Sequence, residues 1–331
     1  MGVPGGNPPA SNQAAAADAS AAANNNAGEG EPAEEDANAH RLEYDSIEIT
    51  RNEQGKKVLN DFLTFENEIG RGAFCSVIKA NGYYPASDET VPYALKVYKS
   101  ATLNGMVQAA QGLGIRRLKD QVIDEVEFWG KLKHDNVVKV FIWHEDYSPE
   151  PHDRMYLMMQ YADMGEVSSW SETEKKYVTN QRVVDHLTRK LTEDPEFAQF
   201  GAADCASMKE RVARFIFTQV ANGLEYLHEE ALVANRDLKP ENMLFTTKEG
   251  GTNIYSHDRA QITDFTTVFK LPKETADQEM ISGLQGSPAF MAPECSLRPE
   301  YKPRPLDVWA FGVSLYVYMF EEMPFWGDTP D

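Results

Sequence analysis

Residues 235–244, "NRDLKPENML", are followed at residues 262–267 by "ITDFTT". The first run places an acid, a base and a carboxamide at Asp237, Lys239 and Asn242. Pro240 imposes an irregular, non-helical backbone between them, so the loop is built to converge polar groups. A second acid, Asp264, follows the short strand-like "AQIT". Oxygens from Asn242 and Asp264 form a hard donor pair suited to holding Mg2+ between nucleotide phosphates.

Working upstream, "EIGRGAFCSV" at 68–77 sets Gly70 and Gly72 between two strand-like segments, where the amides of a hairpin would lie over phosphates. As a bare pattern it is weak: the third glycine of G-x-G-x-x-G is Cys75 here, and a glycine pair in a hairpin is often only a turn. In "YALKV" at 93–97, Lys96 is a cation among apolar strand residues and needs a counter-charge. Glu125 offers one from "LKDQVIDEVEFWGKLK" at 118–133, where Leu118, Val122, Val126, Trp129 and Leu132 recur at helical spacing. An ion pair between that strand and helix would aim Lys96 at the α- and β-phosphates.

The 331 residues are 42% hydrophobic, enough to bury a substantial core. A formal net charge of -20 and a pI near 4.8 exclude a sequence-independent grip on nucleic acid and favour basic partners. Cys75, Cys205 and Cys295 have neither disulfide nor zinc spacing, which fits a reducing cytoplasm. The N-terminus has no basic n-region or apolar h-region, and no membrane span is expected. The most apolar stretch, "LDVWAFGVSLYVYMF" at 306–320, is too short for one and reads as a buried core helix.

Residues 1–40 hold six Asp or Glu and no Lys or Arg among Ala, Asn, Gly and Pro, so residues 1–60 are expected to be a disordered acidic tail. Order should begin near "FLTFENEIG". Short strands and one helix would make a first lobe over 61–162, and a mainly helical second lobe would span 163–331, with an inserted surface segment at about 168–207. The clearest helix is "MKERVARFIFTQVANGLEYLHEE", with Val212, Phe215, Val220, Leu224 and Leu227 on one face.

In order, Gly70 to Val77, Lys96, Glu125, a hinge at Gln160–Ala162, "NRDLKPEN", "DFT", "APE" at 292–294 and "DVWAFG" at 307–312 resemble a eukaryotic serine/threonine protein kinase catalytic domain over about residues 62–331. The helix just quoted, "GSPAFMAPE" and an insert between Lys99 and Asp120 are most similar to calcium/calmodulin-dependent kinase kinases and related upstream kinases. The resemblance implies an α+β, two-lobed fold with an antiparallel N-lobe sheet, one main N-lobe helix, and a C-lobe lacking its last helices. It also implies ATP and Mg2+ as cofactors, and a protein substrate that could itself be a kinase. Calmodulin would engage only a segment beyond residue 331.

By the same resemblance, Asp237 would accept the acceptor hydroxyl proton and Lys239 would stabilise the transferring γ-phosphoryl group. Lys96 and Glu125 would complete the catalytic set, with Asn242 and Asp264 on the metal. Nucleotide contacts would come from Ile69, Gly70, Gly72, Val77, Ala94, Lys96, Met159 as gatekeeper, backbone groups of Gln160 and Ala162, Glu166 at the ribose, and Leu244.

Besides Cys75, two positions depart from the family pattern, Asn235 in place of His and Thr266 in place of Gly. Neither removes a group assigned to phosphate or metal. Trp129 is expected to stack on Phe265 and fill volume that Asn235 leaves, while Thr266 should restrict the backbone of the "DF" segment. Thr275, Ser282 and Ser287 lie in the loop from 267 to 291, and the usual activating phosphosite falls on Gly283. Activity independent of phosphorylation there is therefore expected. Three classes stand at this point: an active kinase, a nucleotide-binding pseudokinase scaffold, and an inactive truncated fragment.

Overall fold

Apolar residues alternate along Glu89–Lys99, and the alternation sorts them to two faces of a sheet. Tyr93, Leu95 and Val97 join an outer core with Leu63, Phe65, Ala80, Tyr156 and Met158. Ala94 and Tyr98 join an inner core with Met155, Leu157, Met159 and Trp129. A computed structural model describes residues 48–72, 75–84, 89–99, 126–146, 154–194, 197, 207–248 and 257–325 of the chain. All of these fall in one unit, Arg41–Asp331.

The strands of the N-lobe are β1 (Ile49–Arg51), β2 (Lys57–Leu59), β3 (Leu63–Arg71), β4 (Cys75–Tyr84), β5 (Glu89–Lys99), β6 (Val140–Asp146) and β7 (Arg154–Gln160). They form one antiparallel sheet in the order β1-β2-β3-β4-β5-β7-β6. The sheet starts earlier than the sequence reading placed it, since β1 and β2 lie within the stretch assigned to the acidic tail. Their order has a local cause. Asn52 accepts from the Gln54 and Lys56 amides through its side chain, closing the turn, and Val58 and Leu59 are buried.

Beyond the hinge come β8 (Gly165–Glu166), the hairpin β9 (Ser168–Ser171) and β10 (Lys176–Thr179), and helix α1 (Gln181–Glu193). The polar stretch that the sequence left as a surface insert thus contains a hairpin and a helix that buries Val183, Leu187 and Leu191. Helix α2 (Met208–Glu229) opens on a capping box between Ser207 and Glu210, and its five expected face residues are all buried. At Gly223 an added Cβ would stand 2.7 Å from the Asn136 carbonyl oxygen, so only glycine lets α2 approach the segment leading from the N-lobe.

Short strands β11 (Val233–Ala234), β12 (Met243–Thr246), β13 (Arg259–Ile262) and β14 (Phe269–Lys270) follow, with a 3-10 turn at Pro240–Asn242. Strands β13, β12 and β8 form a three-stranded sheet, and β11 pairs with β14. A second 3-10 turn at Pro288–Phe290 and helices α3 (Glu294–Leu297) and α4 (Pro303–Phe320) complete the C-lobe. Helix α4, expected to be a buried core helix, buries Leu306, Ala310, Val313 and Val317 on one face. Val308, Tyr316 and Phe320 are exposed, the last two lining an open groove between α2 and α4.

Candidate active site

The loop that carries Asp237, Lys239 and Asn242 hangs from Asp307 near the start of α4. The fully buried Asp307 carboxylate accepts from the backbone amides of Asn235 and Arg236 at 2.8 and 2.7 Å and bonds the His228 ring at 2.7 Å. Charge-assisted bonds of this kind fix a loop that has little regular structure of its own. The Asn235 side chain then works in both directions. Its carbonyl accepts from the Asp237 amide at 3.1 Å, and its amide donates to the Asp264 carbonyl at 3.4 Å.

Asp237 is held from several sides. Its Oδ1 accepts from the Ser287 amide at 2.7 Å, and its Oδ2 pairs with Lys239 Nζ at 2.9 Å. Asn242 donates to the Asp237 carbonyl at 2.8 Å and to Oδ2 at 3.3 Å, while Lys239 also donates to Ser287 Oγ at 2.7 Å. Gly286 makes the close approach of the neighbouring loop feasible: at φ +102°, a Cβ there would fall 2.1 Å from the Arg236 carbonyl oxygen.

Asp264 lies at the other wall. Hydrogen bonding within β12 and β13, and from the Thr263 amide to the Asn242 carbonyl at 3.0 Å, brings Asp264 and Asn242 together. Asp264 adopts left-handed backbone at φ +61°, with Phe265 fully buried behind it. Lys96, 6% exposed, reaches Asp264 Oδ1 at 3.1 Å across the lobes and lies over the Tyr98 and Trp129 rings. Burial pushes the Asp264 carboxyl up, but the Lys96 ammonium beside it, the hydrogen bond from Lys96, the nearby Thr266 hydroxyl and the charge of Lys239 together hold it below its ordinary value. Asp264 therefore stands ready as a carboxylate. With the Asn242 amide oxygen it offers hard oxygen donors, a set that fits a divalent cation of the magnesium class.

The residues expected on the nucleotide side lie on neighbouring strands and pack together. Val77 lies opposite Lys96 in the β4–β5 ladder, and Ala94 opposite Met159 in the β5–β7 ladder. Val77 and Leu244 pack on the inner core that contains Ala94 and Met159. Gly70 closes β3 against Val77, Gly72 donates to the Cys75 carbonyl, and Ile69 is exposed. Residues 73 and 74 at the hairpin tip lie outside the described residues, as does Glu125. The Lys96–Glu125 pairing is therefore not among the described contacts.

At the hinge, the buried side chains of Gln160 and Gln261 exchange amide hydrogen bonds of 2.9 and 3.1 Å. The Ala162 carbonyl accepts from Gly165, which turns the chain towards Glu166. Burial, then repulsion from Glu241, pushes the Glu166 carboxyl up to about 7 against a smaller opposing effect of Lys239.

Sequence reasoning did not single out Tyr177, Glu241 or Asp307 as parts of the site. Asp307 was legible only as the first letter of "DVWAFG", and Tyr177 carries no motif at all.

The family described as the protein kinase domain matches residues 63–331. Among curated proteins the chain is 29% identical over 284 residues to a probable serine/threonine-protein kinase of Dictyostelium discoideum, covering 84% of this chain and 32% of that protein. It is 28% identical over 279 residues to serine/threonine-protein kinase GRIK1 of Arabidopsis thaliana, covering 84% of this chain and 56% of the relative. Over 273 residues it is 25% identical to serine/threonine-protein kinase ULK3 of Homo sapiens, covering 82% and 44% respectively. The chain thus spans 32% to 56% of the length of these relatives.

Proposed function

The chain belongs to the protein kinase domain family, and from that membership we propose that it is an ATP-dependent serine/threonine kinase acting on a protein hydroxyl. The observation that carries the proposal is the convergence of Lys96 on Asp264, and of Lys239 and Asn242 on Asp237.

Bound Mg-ATP supplies the γ-phosphoryl group and a cation that neutralises phosphate charge. Asn242 and Asp264 would hold that cation through oxygen, and Lys96 would grip the α- and β-phosphates. Val77, Ala94, Met159 and Leu244 would enclose the base, backbone groups of Gln160 and Ala162 would meet its edge, and Glu166 would meet the ribose. Asp237 would take the proton of the acceptor hydroxyl as the new O–P bond forms and the bond to the β-phosphate oxygen breaks. Lys239, already within 2.9 Å of Asp237, would stabilise the oxygens in transfer.

The finer reading, an upstream kinase whose substrate is another kinase in the cytoplasm, draws on the likeness of "GSPAFMAPE" and the α2 sequence to that class. No helix among the described residues is long and apolar enough to cross a membrane.

The deciding experiment is transfer of labelled γ-phosphate from Mg-ATP to a serine/threonine peptide library, with Asp237→Asn beside the parent chain. Transfer by the parent and a loss of at least a hundredfold in the variant are expected. Nucleotide-dependent thermal stabilisation without transfer would select a pseudokinase scaffold instead.

A further inference from the structure

Tyr177 sits on β10, in a hairpin that no sequence motif marks. It is 6% exposed, and its ring stands against Trp170, its register partner on β9, at 5.5 Å between centroids. From that place one side chain reaches two separate parts of the cleft. Its hydroxyl donates to Glu241 Oε1 at 2.9 Å, inside the 3-10 turn that also carries Asn242. The ring meets Phe290 edge-on at 5.9 Å, in the turn that begins at Ser287.

The hairpin is itself tied down. Lys176 pairs with Glu321 at 3.2 Å just past α4, and the Thr179 hydroxyl donates to the Tyr318 carbonyl. Helix α4 in turn carries Asp307, from which the catalytic loop hangs. Tyr177 therefore projects from an element anchored to the same helix as the loop it touches.

On the reading of this site as a kinase, we propose that Tyr177 is a positioning residue for phosphoryl transfer. By holding the Glu241 turn and the Phe290 turn with one side chain, it fixes the spacing across which the Ser287 amide meets Asp237 Oδ1. The acceptor hydroxyl would have to enter beside those two groups, so their spacing sets its alignment with the proton-accepting carboxylate.

Two further observations support this assignment. Glu241 Oε2 is buried with no hydrogen-bond partner among the described residues, so the Tyr177 hydroxyl is the donor that the Glu241 side chain relies on. Burial, Glu241, Asp237 and Glu166 all push the Tyr177 ionisation well above its ordinary range. The hydroxyl therefore remains a proton donor throughout the working pH range.

The test uses the full chain with Tyr177→Phe, Glu241→Ala and the double variant. Tyr177→Phe keeps the ring on Phe290 and loses only the bond to Glu241. The expected result is a kcat on the peptide library lowered about tenfold at unchanged KM for ATP. Amide hydrogen exchange over 286–291 should rise at least fivefold, and the double variant should be no worse than the more affected single one. Unchanged exchange over 286–291 in Tyr177→Phe, or effects of the two substitutions that simply multiply, would overturn the assignment. If the parent chain transfers no phosphate, the kinase reading fails on its own. The exchange measurement then still decides whether Tyr177 sets the spacing.

Discussion

The Phe265 ring lies 5.0 Å from the Trp129 ring, centroid to centroid, and both side chains are almost wholly buried. The contact joins the N-lobe to the residue after Asp264, so it helps determine where that carboxylate points. Trp129 adds a bond of its own, from Nε1 to the Val138 carbonyl at 2.7 Å. Asn235, also fully buried, leaves more room nearby than a histidine would.

Trp129→Leu should therefore act on both fold and site. It removes aromatic volume and leaves the Val138 carbonyl without that donor, at a cost of about 3 kcal/mol in stability. Urea denaturation of the two proteins measures it. An exposed tryptophan would cost less than about 0.5 kcal/mol, and a value that small would contradict the packing role.

Thr266 stands where the family has glycine, and its hydroxyl helps hold the Asp264 carboxyl below its ordinary value. Its φ is not positive, unlike that of Asp264, so a β-branched residue is accommodated without strain. Thr266→Val preserves shape and removes the donor, and should lower stability by about 1 kcal/mol at pH 7. The folded pKa of Asp264 is depressed, so its stabilising contribution is present above 3.8 and is lost as pH falls through the lower folded value. The gap between parent and variant should narrow on acidification below 3.8. A gap independent of pH would mean that the hydroxyl does not act through the Asp264 charge.

The parts of the site that were legible in the sequence share one property: their residue types are dictated by chemistry. An ammonium, two carboxylates and an amide have few substitutes, so Lys96, Asp237, Asn242 and Asp264 are legible from residue type and spacing alone. The α2 face was legible because five apolar residues at helical spacing leave little choice of partner side. Hairpin β9–β10 was not, because strands of four residues, "SSWS" and "KYVT", are too short for a period to show. Order in β1 and β2 likewise depends on one asparagine side chain closing a turn, a tertiary detail with a faint local signature. Tyr177 was missed for the same reason, since its role arises from two elements that meet only after folding.

Glu166 gives a pH-dependent prediction. Its carboxyl is raised to about 7 from 4.5. A raised folded pKa means that its contribution to stability is complete below 4.5 and lost as pH rises through about 7. Glu166→Gln mimics the protonated form and should match the parent at pH 5. At pH 8 it should be more stable, by roughly 1 kcal/mol once the solvent screening of a side chain that is only partly shielded is allowed for. Thermal unfolding at the two pH values checks the sign, which would be reversed if Glu166 were held by a cation instead.

The last prediction concerns the loop from 267 to 291. Arg236 precedes Asp237, and a guanidinium at that place is a natural partner for a phosphorylated residue of the loop. Here its Nε donates to the Thr267 carbonyl at 2.6 Å, its Nη2 reaches the Val268 carbonyl at 3.5 Å, and the guanidinium lies 5.6 Å from the Phe269 ring centroid. The loop is anchored further along by backbone bonds of 2.8 and 2.9 Å between Ile281 and Tyr301 and by the Tyr301 hydroxyl on the Gly283 carbonyl. Gly283 has a φ of +83° and no side chain to phosphorylate, so the expected switch position is filled by a turn. A phosphoryl group would normally order such a loop by creating new charge-assisted bonds to arginine. With peptide carbonyls already in that role, phosphatase treatment should leave turnover within about twofold. Arg236→Lys, which loses the planar fork, should lower turnover about tenfold in treated and untreated protein alike. Loss of turnover on phosphatase treatment, with recovery on rephosphorylation at Ser282, would show that the carbonyl contacts do not suffice and that the loop needs a phosphate to order it.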